Sequence, residues 1–483
     1  MTPEQFRAVG HRLIDWLADY HASLEGRPPA PVTGPGNLLA ELPRSAPAQP
    51  GDEREWDRII ADLDRLITPG LLHWQSPRFF GYFPCNCSMP GLLGALVAAG
   101  LNVNGMLWAT SPAATELEMR LLDWMAEVIG LPESFTFNSP QGGGCIQGTA
   151  SEAALVALLA ARFRGVQAGH EPRALCVYAS RHAHSSIIKA AMVAGIAHGP
   201  DDADRVRTIA CDVGHRMDVE ALNRAMREDV ANGLVPAYVC ATLGTTSSEA
   251  IDPLDRIGAA IETLPYRPWL HVDAAYTGAA LVCPEFRRIL QGVERADSFC
   301  FNPHKWLLTN FDCDLMWTRH RRVLIEALSI TPEYLGHQSS QSGQVIDYRD
   351  WQIPLGRSFR SLKLWFVLRH YGVEGLRAHI RAQVALASWL EQRIRADARF
   401  VLAAPRVSGL VCFRLSAGDG PTQRLLQRVN ASGEAFISHT KLPDADGCER
   451  FVLRVAMGAP STAPRHVEQL WALLDREADA VSD

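Results

Sequence analysis

Five short, largely apolar runs punctuate helical patterns between about residues 88 and 370: ALCVYAS (174–180), AYVCATLG (237–244), WLHVDAAY (269–276), SFCFN (298–302) and CDLMWT (313–318). Strands apolar on both sides belong to a sheet covered on both faces, and their alternation with helices predicts a mainly parallel α/β sheet. Open sheets of this kind bind ligands beyond the carboxyl ends of their strands. The residues just after these runs are therefore the first candidates for function.

The flanking regions read differently. The first helix, in MTPEQFRAVGHRLIDWLADY, has Thr2, Pro3 and Gln5 as a capping box with proline at its first position, and Phe6, Val9, Leu13 and Leu17 at helical spacing. The proline-rich stretch EGRPPAPVTGPGNLLAELPRSAPAQPGD (25–52) is a wrapping or linking segment. Beyond residue 373, a helical region followed by GLVCFRL (409–415) and RFVLRVAM (450–457) predicts a smaller α+β unit. The expected division is an N-terminal helical wrapping segment (1–87), a large domain (88–372) and a small C-terminal domain (373–483). A chain of 483 residues, 47% hydrophobic, can fill that many cores.

Charge and cysteine usage exclude several classes. With 47 Lys+Arg against 53 Asp+Glu, a net charge of −6 and no basic cluster, nucleic acid is not an expected partner. The charged first helix is not a signal peptide, and the most apolar run, LLGALVAAGL (92–101), is too short to span a bilayer, so no membrane partner is expected. Eleven scattered cysteines, only Cys85 and Cys87 close together, point to reduced thiols in a cytoplasmic protein and to no metal site.

Three motifs carry chemistry. In DSFCFNPHKWLLTN (297–310), Lys305 stands beside Trp306, Leu307 and Leu308, so it either packs its stem flat with its tip in solvent or is buried. Burial lowers a lysine pKa and yields a neutral amine able to form a Schiff base. In SPQGGGCIQGTASEAALVALLAARFR, a glycine-rich turn enters a helix starting near Ser151, which is either a tight turn or an anion site. It is no P-loop, since Thr149 replaces the lysine, and no dinucleotide fingerprint, since Gln147 replaces the third glycine. Asp273, ending WLHVD, is a cap or surface carboxylate or the partner of a buried cation such as a protonated pyridine, with Ala274 and Ala275 leaving room for a flat ring. In ASRHAHSSIIKAA, His182 and His184 lack the companion ligands of a metal site, and His182 reads as a solvated or hydrogen-bonded loop histidine. Lysine, aspartate and phosphate cup together are the groups expected around pyridoxal phosphate.

At this point the chain resembles the pyridoxal-phosphate-dependent aromatic L-amino acid decarboxylases, group II decarboxylases of fold type I. The likeness runs through FFGYFP, SPAATELE, GGGCIQGTASEA, AHSS, TLGTTSS, WLHVDAAY, CPEFR, FNPHKWLLTNFDCD and DWQIPLGRSFRSLKLWFVLRHYG. It implies a large domain with a mainly parallel seven-stranded sheet and a homodimer with its sites at the interface. It also implies that Lys305 carries the cofactor as a Schiff base, that Asp273 pairs with the ring nitrogen and that His184 stacks on the ring. Ala150 and Ser151 would hold the phosphate with Asn302 and His304, Ala275 would lie against the cofactor, and Thr246 near it and the substrate carboxylate. Trp74, Tyr82, Phe83 and Pro84 would wall the aromatic pocket, and Tyr334, in the polar stretch 331–350, would be the proton donor on a closing loop.

The chain departs from animal relatives at Cys85, where a threonine often stands, and at Asn104 and Met106, where an isoleucine and a phenylalanine would reach into the partner's site. Gly356 matches relatives accepting broad or indolic substrates. The implied reaction is decarboxylation of tryptophan, 5-hydroxytryptophan, DOPA, tyrosine or phenylalanine, the first three favoured, to an arylalkylamine. Three rivals remain. An aromatic aldehyde synthase is opposed by the presence of both Tyr334 and His184. An acidic amino acid decarboxylase would need Arg78 for its substrate, although that arginine reads as solvated at the pocket edge. The third is a non-catalytic dimer that binds pyridoxal phosphate.

Overall fold

A computed structural model describes residues 1–52, 54–330 and 345–482. Seven strands form the central sheet: β1 (Gly143–Gln147), β2 (Leu175–Ser180), β3 (Val206–Ile209), β4 (Val235–Thr242), β5 (Trp269–Asp273), β6 (Ser298–Phe301) and β7 (Asp314–Thr318), in the order β1-β7-β6-β5-β4-β2-β3. Pairs β2/β3, β2/β4, β4/β5 and β5/β6 are parallel, whereas β7 is antiparallel to both β1 and β6. The carboxyl ends of β1, β2, β4, β5 and β6 therefore share one edge with the start of β7. Every residue of β1, β2, β5, β6 and β7 is buried, as apolar runs in a doubly covered sheet require. The alanine-rich helix Ala150–Gln167 covers one face, its small side chains allowing close approach to Cys145, Cys300 and Met316. Helices Pro112–Ile129, Val219–Ala231 and Leu254–Glu262 pack on the opposite face.

Two strands lie outside the five apolar runs. The glycine-rich segment is itself β1, and the turn begins only at Gly148. A Cβ at Gly144 would sit 2.8 Å from the Met316 carbonyl and 2.9 Å from the Trp317 ring, so close pairing with β7 requires glycine there. The short β3, VRTI, presents two partly or fully exposed positions and so lacks the apolar signal.

Strands β8 (Phe400–Leu402), β9 (Leu410–Leu415), β10 (Ser438–Pro443) and β11 (Glu449–Ala456) form an antiparallel sheet in the order β10-β11-β9-β8, with its own apolar cluster beneath helices Asp419–Ala431 and Pro464–Ser482. The helical run Ser361–Ala396 leading to it breaks at Gly372, where φ is 60°. Residues 79–84 run along this second sheet, the Phe80 N–H donating to the Phe436 carbonyl and the Ala456 N–H to the Phe80 carbonyl.

The capping box is present: Thr2 Oγ1 accepts the Gln5 N–H and Gln5 Oε1 accepts the Thr2 N–H. No residue of helix Pro3–Ser23 is buried, and Leu93, Leu96 and Leu101 on helix Met89–Leu101 are exposed as well. Tyr334 and the rest of 331–344 lie outside the described residues. The remainder of the stretch expected to be a polar loop is partly core, with Tyr348 and Arg349 buried in a 3-10 turn. Among the described residues no helix is long and apolar enough to cross a membrane, and all eleven cysteines are free thiols.

Candidate active site

The shared edge of the sheet opens into a cavity of about 240 Å3. Five strand ends contribute to its lining: Ala150 and Ser151 after β1, His184 after β2, Gly244 and Thr246 after β4, Asp273 and Ala275 at the end of β5, and Asn302, His304 and Lys305 after β6. Phe83 closes it from the N-terminal segment. The structure thus gathers Phe83 and all the residues expected to bind the cofactor around one space.

Thr149 opens the helix on the β1 side. Its extended backbone (φ −145°, ψ 160°) turns the chain, and its hydroxyl accepts the Glu152 N–H. Asn302 Oδ1 accepts the Ala150 N–H at 3.1 Å and ties this helix start to the end of β6. Ser151 is exposed at the cavity, where the positive end of the helix dipole faces. The next loop passes only as glycine: Gly244 has φ +102°, and a Cβ there would fall 1.9 Å from Thr277 Oγ1.

Lys305 lies in the short helix Pro303–Trp306 with Trp306, Leu307 and Leu308 buried beside it. The lysine is itself only partly exposed, and it lines the cavity with its Nζ 5.4 Å from the centre of the Phe83 ring. Burial pushes its pKa down, with the negative charges of Asp273 and Asp314 opposing. This favours the chemically used lysine over the solvated one. Asp273 is 5% exposed and accepts the Ala275 N–H at 2.9 Å.

Two histidines present defined tautomers. His184 Nδ1 accepts the Ser186 N–H at 3.2 Å and His304 Nδ1 accepts the Cys313 N–H at 2.9 Å, so each neutral ring carries its proton on Nε2 as a donor. Burial lowers both pKa values, that of His304 to about 4. His182 corrects an expectation: it is buried, edge-on to His215 at 5.7 Å, and burial lowers it to about 4.

The remaining candidates are spread out. Trp74 stacks on Tyr82 at 5.6 Å, and Pro84 and Cys85 follow Phe83, but none of these four lines the cavity. Asn104 and Gly356 line a different cavity of about 420 Å3 beside helix Met89–Leu101, with Met106 next to Asn104. Arg78 is not at the active cavity. It donates to the Arg27 carbonyl and lines a small pocket with Glu434 and His466.

Sequence reasoning passed over Arg454 and Ser438. Arg454 is buried, reaches from the second sheet to 5.1 Å over the Phe83 ring, and donates to Ser438 Oγ at 3.0 Å, which in turn accepts the Tyr82 N–H at 2.9 Å. This pair clamps Tyr82 in its left-handed conformation (φ 53°) and so sets Phe83. Partners some 370 residues apart in the chain leave no local signal.

The donor set fits pyridoxal phosphate: an amine for the aldehyde, a buried carboxylate for the ring nitrogen, and a helix start with a serine for the phosphate. The profile of the family described as pyridoxal-dependent decarboxylase conserved domain matches residues 35–416. Tryptophan decarboxylase 2 of Oryza sativa subsp. japonica is 47% identical over 492 aligned residues, covering 100% of this chain and 96% of that protein. Phenylacetaldehyde synthase of Arabidopsis thaliana is 45% identical, covering 99% and 96%. The crystal structure of Oryza sativa TDC with PLP and tryptamine superposes with a TM-score of 0.95 at 39% identity, covering 100% of this chain and 99% of that one.

Proposed function

The chain belongs to the pyridoxal-dependent decarboxylase family, and from that premise we propose that it decarboxylates an aromatic L-amino acid, tryptophan or a related indole or catechol, to the arylalkylamine and carbon dioxide. One observation carries the assignment of the centre: Lys305, Asp273 and the helix start at Ala150 and Ser151 line one cavity, with the amine 5.4 Å from the centre of the Phe83 ring.

In this reading pyridoxal phosphate, when bound, supplies the electron sink that receives the pair released from the Cα–carboxylate bond. Lys305 would hold it through its side-chain amine. Asp273 keeps the ring nitrogen protonated, and Ala150, Ser151, Asn302 and the Nε2–H of His304 hold the phosphate. His184, which lines the same cavity, would stack on the cofactor, Ala275 would lie against it, and Thr246 would serve it and the substrate carboxylate. Phe83, clamped by Arg454 and Ser438, forms the wall for the aromatic side chain with Trp74, Tyr82, Pro84 and Cys85 behind it. Tyr334 returns a proton to Cα. The preference for an indole rests on Gly356.

We also propose a cytoplasmic homodimer divided at 1–87, 88–372 and 373–483. The helix break at Gly372 supports the last boundary, and the exposed apolar faces of helices Pro3–Ser23 and Met89–Leu101 support a second copy as their cover. Asn104 and Met106, remote from this chain's own cavity, would then serve the neighbouring site. The second reading, an aldehyde synthase, is favoured by the likeness to phenylacetaldehyde synthase and opposed by the tyrosine at 334. Incubating the pyridoxal-phosphate-loaded protein with each aromatic amino acid while measuring amine, carbon dioxide and hydrogen peroxide decides between them. Amine without peroxide is the expected result, equimolar peroxide and aldehyde would replace it by the second reading, and no carbon dioxide from any substrate would defeat both.

A further inference from the structure

The loop after β4 folds back on itself. The Gly244 and Thr245 N–H groups both donate to the Ala250 carbonyl, and the Glu249 N–H donates to the Thr245 carbonyl at 2.8 Å. Thr246, exposed to the active cavity, is thus enclosed in a turn whose closing residue is Glu249. That glutamate is held left-handed (φ 60°), which costs free energy in any residue with a Cβ, and its side chain is fully buried.

Four donors converge on the buried carboxylate. They are the Thr277 hydroxyl at 3.2 Å, the Ser408 hydroxyl, the Ser408 N–H at 3.0 Å and the Leu410 N–H at 3.3 Å. Burial raises the Glu249 pKa, and these four hydrogen bonds oppose the rise. A buried carboxylate is tolerated where such donors replace water. Three of the four come from Ser408 and Leu410, where β9 begins. Gly409 between them is pressed against the wall of the centre, since a Cβ there would lie 2.8 Å from the ring of Trp306, the neighbour of Lys305.

The loop meets the second sheet at another point as well. The Ser247 hydroxyl accepts from Thr440 Oγ1 at 3.1 Å on β10, and the Ser247 carbonyl accepts from the Cys412 thiol at 3.4 Å on β9. Thr246 therefore precedes one anchor, Ser247, and lies inside the turn closed by the other, Glu249.

We propose that Glu249 is a positioning residue, whose carboxylate clasps the loop after β4 to the start of β9 and thereby fixes Thr246 toward the substrate carboxylate. The small sheet thus acts on the reaction without lending a group to the reacting atoms. The proposal rests on reading Thr246 as the residue that serves the substrate carboxylate.

The test uses the pyridoxal-phosphate-loaded protein and two ligands that differ by the carboxylate alone. One is the aromatic amino acid turned over fastest, followed by its KM. The other is the arylalkylamine made from it, followed by its inhibition constant. Glu249→Ala opens the clasp and should raise KM about tenfold, the size of one hydrogen bond to a charged group, while the amine's inhibition constant stays near the parent's. Glu249→Gln preserves the clasp, because the amide oxygen can accept both backbone N–H groups and the NH2 can donate to both hydroxyls, so KM should return to the parent's. Ser408→Ala removes a single donor and should raise KM by less, and it carries the test if Glu249→Ala does not fold. Thr246→Ala should reproduce the split between KM and the inhibition constant. If it does and neither Glu249→Ala nor Ser408→Ala follows, the clasp is overturned. Equal rises in both constants, or Glu249→Gln as impaired as Glu249→Ala, overturn it too. If Thr246→Ala leaves both constants unchanged, the reading of Thr246 falls, and the proposal with it.

Discussion

Replacing Asp273 by asparagine isolates charge from shape. The residue is 5% exposed and its structural duty is to accept the Ala275 N–H at 2.9 Å, which the asparagine carbonyl oxygen can also do. The fold and the phosphate-holding helix start should survive. A counter-charge about 4 Å from a cationic ring nitrogen, at an effective dielectric constant near 20, is worth about 4 kcal/mol. Most of that is felt as electrons arrive on the ring, so at about 1.4 kcal/mol per decade the turnover number should fall roughly a thousandfold. The assay is amine formation under saturating substrate, with cofactor content measured by absorbance on the same sample. A turnover within a few-fold of the parent, in protein still fully loaded, would refute the role of Asp273 in sustaining the electron sink. Loss of loading with a normal fold would assign the residue to binding instead.

Arg454→Met should release the Tyr82–Phe83 segment while keeping an apolar stem, raising KM for aromatic substrates about tenfold or more with a smaller change in kcat. A kcat collapse at constant KM would contradict this positioning role. Tyr334→Phe should turn the product in air from amine towards aldehyde, ammonia and hydrogen peroxide, and a variant making almost only amine at the parent's rate would remove Tyr334 as proton donor. His271 and His304 are both lowered by burial to about 4 from about 6.5, so the folded state binds protons less readily than the unfolded one. Their stabilising contribution is complete above about pH 6.5 and is lost as pH falls towards 4, by an amount on the order of 3 kcal/mol each. Denaturant midpoints measured across that window should fall less steeply in His271→Gln, and an identical slope would exclude His271 as a source of acid sensitivity.

Much of the centre could be read from the chain because its residues sit at strand ends. The run WLHVD announces a buried strand by composition, and the carboxylate that ends it is conspicuous because nothing apolar explains it. Lys305 is legible for the same reason, as a charge inside PHKWLL. The glycine-rich segment was half legible. The helix start at Ala150 follows from the alanine-rich pattern after Thr149, but β1 is hidden because Gly143 makes room for Phe137 and Trp351, Gly144 serves close packing against β7, and neither carries strand propensity. His182 misled in the opposite direction, since a polar pair flanked by Arg181 and Ser185 gives no hint that His215, 33 residues on, covers it.

What stayed hidden was direction and distance. CDLMWT signals a strand, but its composition is indifferent to whether that strand runs with its neighbours or against them. Had β7 been parallel, Asp314 would lie at the far edge of the sheet, remote from Lys305, and a buried acid there would be an isolated liability. Antiparallel pairing with β1 and β6 brings the same residue beside Gln147, at the edge of the sheet where β5 ends in Asp273. The clamp on Phe83 shows the same limit, because Arg454 and Ser438 approach Tyr82 only once the second sheet has folded against residues 79–84. A buried charge in a strand therefore tells a reader that something must compensate it. Only the strand's orientation identifies the compensating group, and that is why the two carboxylates at this edge, Asp273 and Asp314, could not be told apart by burial alone.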